Sequence, residues 1–135
     1  MDEDEEMKKK REDGLEVLID YTKGNGLVPV VVQDYSSGRI LMLAYANQEA
    51  LESTFETGYA TFWKRSEQRL WTKGETSGNM LAMEEILVDC DQDALLYRVR
   101  IEGEGACHTK VKGKSRISCF YRKIAPNSKK LEFVD

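Results

Sequence analysis

Two apolar segments joined by a short polar turn begin the globular part of this chain. The first, LVPVVVQDY at 27–35, is rich in β-branched residues and predicts a buried strand. Serine and glycine at 36–38 predict a turn, and RILMLAY at 39–45 predicts the partner strand. The pattern indicates a β-hairpin at this point.

A helix is predicted directly after this hairpin, at about 47–57. Asn47 is a favourable N-cap, and Gly58 is favourable where the helix ends. Four small or apolar residues between them share one helical face: Ala50, Leu51, Thr54 and Phe55. We expect this to be the one main internal helix.

The rest of the chain alternates short apolar runs with polar turns. The tail is predicted to run into a helix through GLEVLIDYTK at 14–23, and GETSGN at 74–79 is predicted to be a loop. Further strands are predicted in YATFWKRS (59–66), RLWTKG (69–74), twice in EEILVDCDQDALLYRVRIEG (84–103), and in ISCFYRKI (117–124). Many short strands with one clear internal helix indicate a β-rich α+β fold.

Composition narrows the class of protein. A chain of 135 residues forms one domain, which we place at 15–135 after a charged tail at 1–14. A net charge of −4 and a pI near 5.2 argue against a nucleic-acid or membrane-surface binder. No apolar run approaches the ~20 residues of a membrane span, and the charged N-terminus lacks the apolar core of a secretory signal. We therefore expect a cytoplasmic protein with no nucleic-acid or membrane partner.

The segment LVDCDQDALL at 87–96 places three carboxylates between two apolar runs. Clustered carboxylates repel one another, and partial burial makes this worse, so a divalent cation is the expected partner. In an extended strand Asp89, Asp91 and Asp93 would share one face, with Cys90 on the other. Oxygen ligands suit magnesium, whereas thiolate suits zinc. The alternative is an acidic turn left in solvent.

The three cysteines, Cys90, Cys107 and Cys119, lack the close C-x-x-C pairs of zinc fingers. Each alone is explained as a small buried hydrophobe. Cys90, however, lies inside the carboxylate cluster, and Cys107 precedes the only histidine, His108. Three thiolates and one water would form an open zinc site of the catalytic kind. Spacing alone leaves both interpretations open.

Two further segments are candidates for phosphate or nucleotide binding. WTKGETSGN at 71–79 offers glycines, hydroxyls and Lys73, which can cradle phosphate. It is not a Walker sequence, however, and a plain surface turn is the more common explanation of such a segment. FWKRSEQRLW at 62–71 interleaves basic and aromatic residues that could grip a nucleotide. A strand pair with apolar residues inward and charges outward is the alternative.

These stretches together resemble the phosphoribosyl-AMP cyclohydrolase family. The resemblance runs in order from about Gly26 to Arg122, and VDCDQDA with KGETSGN and ACHT is a highly specific combination. One departure is KVKGKSRI at 110–117, because the last two cysteines are usually closer in the family. We expect that loop to differ in shape. The matching stretches are GLVPVVVQDYSSGRILMLAYANQEAL, TGYATFWKRS, LWTKGETSGN, ILVDCDQDALLYRV, ACHT and SCFYR.

The resemblance implies a barrel-like or sandwich arrangement of short strands and a homodimer. It implies magnesium on Asp89, Asp91 and Asp93. It also implies zinc on Cys90, Cys107 and Cys119, with ligands contributed by both subunits.

The resemblance also implies an enzyme, the hydrolase of the third step of histidine biosynthesis. Zinc-activated water would open the N1–C6 bond of the adenine ring of 1-(5-phosphoribosyl)-AMP, giving the phosphoribosyl-formimino imidazole carboxamide ribotide. We assign proton transfer to His108, with orientation of the zinc site as the alternative role. Substrate contacts are assigned to Arg65, Trp71, Lys73, Glu75, Thr76, Ser77 and Arg122.

Two functions of other kinds compete with this one. A zinc-stabilised module that binds nucleotides or RNA without catalysis would explain the aromatics and the cysteines. It leaves the acidic triad unexplained, because carboxylates repel phosphates. A nucleobase deaminase is disfavoured, since the H-x-E and P-C-x-x-C signatures are missing.

Overall fold

A four-stranded sheet forms the centre of the structure, a computed structural model that describes residues 2–134. The first residue of the predicted tail and the last of the predicted domain lie outside this range. The helices are α1 (Glu3–Asp13) and α2 (Gln48–Thr57), and a 3-10 turn spans Thr22–Gly24. The strands are β1 (Val28–Asp34), β2 (Ile40–Ala46), β3 (Thr61–Lys64), β4 (Arg69–Thr72), β5 (Met80–Val88), β6 (Leu95–Glu102), β7 (Lys110–Val111), β8 (Lys114–Ser115), β9 (Arg122–Ile124) and β10 (Leu131–Phe133). The predicted β-rich α+β class is confirmed.

The strand order of the central sheet is β2-β1-β6-β5. The neighbours β1 and β2, and β5 and β6, are antiparallel hairpins, as the sequence predicts. Between the two hairpins β1 and β6 run parallel, with Val30 opposite Leu95. The remaining strands pair only with one another, as β3-β4, β7-β8 and β9-β10.

The expected barrel-like closure is wrong for the described part of the chain. A single bridge between Tyr59 and Ala82 links β5 to the residues before β3. The ladder does not continue around to β2, because β3 pairs with β4 instead. The sheet therefore stays open along β2 and β5.

One face of the central sheet carries the core. Alternate residues of β1 are fully buried, and Tyr97 at the middle of β6 stacks on Phe62 of β3 with ring centroids 5.7 Å apart. Helix α2 contributes Ala50 and Leu51 to the same cluster. The hairpin β3-β4 and α2 thus cover this face, and the connections at the strand ends remain accessible.

The main internal helix lies where the sequence predicts it. The Asn47 side chain accepts a hydrogen bond from the Ala50 amide at 2.9 Å, and Gly58 ends the helix in the left-handed conformation. Ala50, Leu51 and Thr54 are buried, whereas Phe55 on the same predicted face is 62% exposed.

The predicted helix at 14–23 is wrong. The helix lies earlier, in the charged tail, where the Asp2 side chain caps it and acidic residues precede basic ones along its length. Residues 14–21 are not helical, because several of their backbone groups bond to Gln92.

The predicted strand at 117–124 is mostly wrong as well. Only Arg122–Ile124 is a strand, since the Cys119 amide and the Ser118 hydroxyl are bonded to carbonyls of β2. The longer stretch between the last two cysteines forms the small hairpin β7-β8. No helix within residues 2–134 has the length and apolar character needed to span a membrane.

Candidate functional site

A tight turn between β5 and β6 brings the three predicted carboxylates together. The Asp89 carboxylate accepts hydrogen bonds from the amides of Asp93 at 2.9 Å and Ala94 at 3.1 Å. Carboxylate oxygens of Asp89, Asp91 and Asp93 lie within 4.8 Å of one another. The predicted cluster exists, but a turn creates it, and the expected alternation along an extended strand is wrong.

Lys23 is the positive partner of this acidic turn within the chain. Its ammonium donates to Asp91 at 3.0 Å and to Asp93 at 2.7 Å. These hydrogen bonds, first with Asp93 and then with Asp91, raise the pKa of Lys23, and Lys23 in turn lowers the pKa of Asp93. Burial and the nearby Asp93 raise the pKa of Asp89, although two backbone amides oppose the shift. The sequence did not predict Lys23, because no local pattern indicates a contact between residues as far apart in the chain as Lys23 and Asp91 or Asp93.

Gln92 fixes the same turn to the N-terminal segment. It is 4% exposed and adopts a left-handed backbone with φ 57°. Its side-chain oxygen accepts from the Leu18 amide at 2.8 Å, and its side-chain nitrogen donates to the carbonyls of Arg11 and Glu16. Its own carbonyl accepts from the Asp20 amide at 2.7 Å. The shape of the acidic turn therefore depends on residues 11–20.

The donor set of this turn fits a hard divalent cation. Three carboxylates converge and one ammonium already neutralises two of them, which shows that the geometry accepts positive charge. Calcium and magnesium prefer such oxygen ligands, whereas zinc is well suited to thiolate ligands.

A second cluster contains two of the three cysteines. Gly105–Cys107 runs beside Arg116–Ile117, and the Cys107 amide donates to the Arg116 carbonyl at 3.1 Å. This approach is close enough that a Cβ on Gly105 would meet the Arg116 oxygen at 2.3 Å. The amide of Cys119 donates to the Leu41 carbonyl at 2.7 Å. The thiols of Cys119 and Cys107 lie near enough for each to affect the ionisation of the other.

The electrostatics of the thiol pair are set by its neighbours. Burial opposes ionisation of Cys107, but hydrogen bonds from the Thr109 hydroxyl and amide outweigh it and lower the pKa of Cys107. Cys119 is exposed as a residue, yet desolvation of its thiol and the neighbouring Cys107 raise the pKa of Cys119 to about 11. Burial lowers the pKa of Lys73, whose ammonium faces both thiols. Two cysteines whose pKa values shift in opposite directions and a buried lysine thus lie close together.

Cys90 does not join the other two cysteines within one chain. Among the described residues, only the three aspartates form a group of three or more potential metal ligands within 4.8 Å. Cys90 is exposed and lines a groove of about 670 Å³, mostly apolar, between the N-terminal segment, α2 and β5. A site with all three cysteines would therefore need Cys90 from a second chain.

The predicted substrate residues fall into two groups. Trp71, Lys73 and Glu75 follow one another along β4 and the loop after it, where Glu75 is held by Arg69 at 2.8 Å. Thr76 and Ser77 are exposed in that loop. Arg65 lies over the Tyr45 ring at 3.9 Å, and Arg122 lies over the Tyr121 ring at 5.1 Å. His108 is exposed beside Cys107.

A basic groove beside β7-β8 was not predicted. It has a volume of about 760 Å³, and its lining includes Lys112, Lys114 and Arg116 together with Glu104. These three basic residues belong to the stretch 110–117, which departs from the family that the sequence resembles, so no family motif indicated the groove.

Comparison with known proteins gives a consistent result. Residues 42–121 match the model of a family described as phosphoribosyl-AMP cyclohydrolase. A phosphoribosyl-AMP cyclohydrolase of Solibacter usitatus is 50% identical over 106 residues, which are 78% of this chain and 80% of that protein. One from Methanococcoides burtonii is 52% identical over 101 residues, 75% of this chain and 78% of its own length. A histidine biosynthesis bifunctional protein HisIE of Aquifex aeolicus is 49% identical over 102 residues, which are 76% of this chain but 47% of that protein.

Proposed function

This chain belongs to the phosphoribosyl-AMP cyclohydrolase family, a family of hydrolases in histidine biosynthesis, and we propose that it catalyses the third step of that pathway. The reaction is the opening of the N1–C6 bond in the adenine ring of 1-(5-phosphoribosyl)-AMP. The observation that carries this proposal is the family match over residues 42–121, which includes both the acidic turn and the cysteine pair.

The cysteines are proposed to hold zinc. Cys107 and Cys119 lie near each other, and hydrogen bonds with Thr109 favour the thiolate of Cys107, the form that binds metal. Because Cys90 lies apart in the same chain, we assign the third thiolate to a second subunit, which makes the enzyme a homodimer. Zinc would supply hydroxide at neutral pH by lowering the pKa of water.

The remaining residues are proposed to position the substrate and move protons. His108 is exposed next to Cys107, where it can exchange protons with bound substrate. The Lys73 ammonium lies over the Trp71 ring at 5.5 Å and near the thiol pair. Glu75, Thr76 and Ser77 follow in the same loop, where they would contact a ribose or phosphate. Arg65 and Arg122 are exposed cations for the two substrate phosphates. The acidic turn would hold magnesium, which either meets a phosphate or organises the site.

The proposal extends to the organisation of the protein. We place the catalytic domain at residues 15–135, after the charged tail. The proposed enzyme acts on a small-molecule substrate and has no nucleic-acid or membrane partner. We assign it to the cytoplasm. The acidic composition supports the absence of nucleic-acid and membrane partners, since a net charge of −4 does not attract polyanions.

The test is direct. The purified chain, loaded with zinc and magnesium, is incubated with 1-(5-phosphoribosyl)-AMP, and the change in ultraviolet absorbance on ring opening is followed. We expect turnover by the wild-type chain, loss of turnover on chelation, and recovery with zinc. Cys107→Ser serves as the matched inactive control. Tight binding of the nucleotide without turnover would favour the zinc-stabilised binding module.

A further inference from the structure

The Lys23 ammonium lies against two of the three carboxylates of the acidic turn. It lies 2.7 Å from Asp93 and 3.0 Å from Asp91, so it uses one oxygen of each. Two of the three converging carboxylates are therefore already committed to a charge from the same chain. Lys23 also lies upstream of the residues that match the family model.

We propose that Lys23 is a built-in competitor for the divalent cation of the acidic turn, and that the cation displaces its side chain on binding. This inference rests on the proposed function, because it takes the acidic turn to be a metal site. Lys23 is then a positioning residue that sets the affinity of the site, and it contacts neither substrate nor reacting atoms.

The ammonium and the cation exclude each other for geometric and electrostatic reasons. Magnesium binds carboxylate oxygens at about 2.0–2.1 Å and calcium at about 2.3–2.6 Å. A cation that reached Asp91 and Asp93 at such distances would lie against the Lys23 ammonium, where like charges repel. One of the two must leave.

The surroundings of Lys23 allow it to be the one that leaves. Its side chain is 57% exposed and belongs to the short 3-10 turn that ends at Gly24. The residue after that turn, Asn25, is left-handed, and Gly26 follows. A displaced ammonium would therefore move into water without disturbing the core.

The acidic turn itself would stay in place during this exchange. Gln92 holds it to Arg11, Glu16 and Leu18 through side-chain hydrogen bonds that do not involve Lys23. Asp89 is fixed by amides of the turn. The exchange is thus confined to one side chain, and the three carboxylates remain converged.

The first experiment measures cation affinity without any enzyme assay. Binding of Mn²⁺ or Mg²⁺ to zinc-loaded protein is titrated by calorimetry for wild type, Lys23→Met and Lys23→Arg. We expect Lys23→Met to bind about 3- to 30-fold more tightly, as loss of one or two exposed ion pairs would give, and Lys23→Arg to remain near wild type. Lys123→Met is the matched control, because Lys123 pairs with Glu132 at 3.5 Å in the remote β9-β10 hairpin. Equal or weaker binding by Lys23→Met overturns the proposal.

The second experiment follows the lysine itself. Acetylation of Lys23 and Lys123 by a small reagent is quantified by mass spectrometry with and without Mn²⁺. Displacement predicts faster labelling of Lys23 with the cation present and an unchanged rate at Lys123. Slower or unchanged labelling of Lys23 under saturating cation contradicts the proposal.

The two proposals fail in different ways. Asp91→Asn should abolish binding at the acidic turn in both lysine backgrounds. If neither wild type nor Lys23→Met binds a cation that depends on Asp91, the magnesium part of the proposed function fails and the inference fails with it. If wild type binds and Lys23→Met binds equally, only the role of Lys23 is wrong.

Discussion

The environment of Lys73 differs from the one that the sequence predicts. Its place in a glycine-containing loop predicts contact with phosphate, yet it is 8% exposed and faces the thiols of Cys107 and Cys119. Burial favours its neutral form, and the adjacent thiolate favours its ammonium form. A buried lysine in this position can stabilise an ionised thiol of the pair.

His108 gives a clean test because it is the only histidine. If it transfers a proton, His108→Ala should lower the rate by ~10²–10⁴ while zinc stays bound, because the cysteines still supply the ligands. The measurements are steady-state rates and zinc content of the purified variant. Loss of zinc would show instead that His108 orients the metal site. Full rate with full zinc would remove it from the mechanism.

Tyr97 is expected to weaken the fold at high pH. Its hydroxyl is buried without a hydrogen-bond partner among residues 2–134, because the nearby Thr54 hydroxyl is engaged with Ala50 and Thr61. Burial raises the pKa of Tyr97 from 10.0 to about 12. The unfolded chain therefore ionises this group first, so stability present below pH 10 is lost as the pH rises towards 12.

Tyr97→Phe should remove this sensitivity. At pH 8 we expect an unfolding free energy that is unchanged or up to about 1 kcal/mol higher, since a buried unpaired hydroxyl is lost. Urea unfolding at pH 8 and pH 11 measures both quantities, with the exposed Tyr35→Phe as the matched control. A wild-type protein that loses no more stability than Tyr97→Phe between these two pH values would contradict the assignment.

At the scale of elements, the chain shows where local signals are sufficient. The β1-β2 hairpin, α2 and the β5-β6 hairpin follow from β-branched runs, an N-cap and polar turns, all of which act over a few residues. Residues 14–21 fail as a helix because Gln92, far along the chain, takes their backbone groups. The three aspartates of the site are likewise visible in the sequence, whereas Lys23 and Gln92 depend on contacts that only the fold creates.

The cap of α2 can be tested by itself. Asn47→Ala removes the acceptor for the Ala50 amide and should lower the free energy of unfolding by about 1 kcal/mol. Asn47→Asp keeps an acceptor and should stay near wild type. Urea denaturation of the three proteins makes the comparison. Equal stability of Asn47→Ala and wild type would mean that packing against β3 alone holds the helix.

At the scale of the whole molecule, the described residues of one chain assemble the acidic turn but no three-cysteine site. If zinc is shared between subunits, a mixture of Cys90→Ser and Cys107→Ser should form heterodimers in which one of two sites has every ligand. Each variant alone should be inactive, and the fully exchanged mixture should regain about a quarter of wild-type activity. Cys107→Ser mixed with Cys119→Ser is the control, since both defects then lie on the same side of the site. No recovery in the first mixture would place all ligands within one chain.

The parallel pairing of β1 with β6 has a consequence for how the protein is made. Val30 meets Leu95, so the central strand lacks one neighbour until most of the chain has left the ribosome. Until then the nascent hairpin exposes the buried valines of β1, which favours association with other nascent chains. Three events then occur together: the sheet is completed, the acidic turn forms, and the N-terminal segment binds to Gln92. All three depend on β6 and the residues just before it. A chain truncated before residue 95 should therefore bind chaperones and never form the acidic turn.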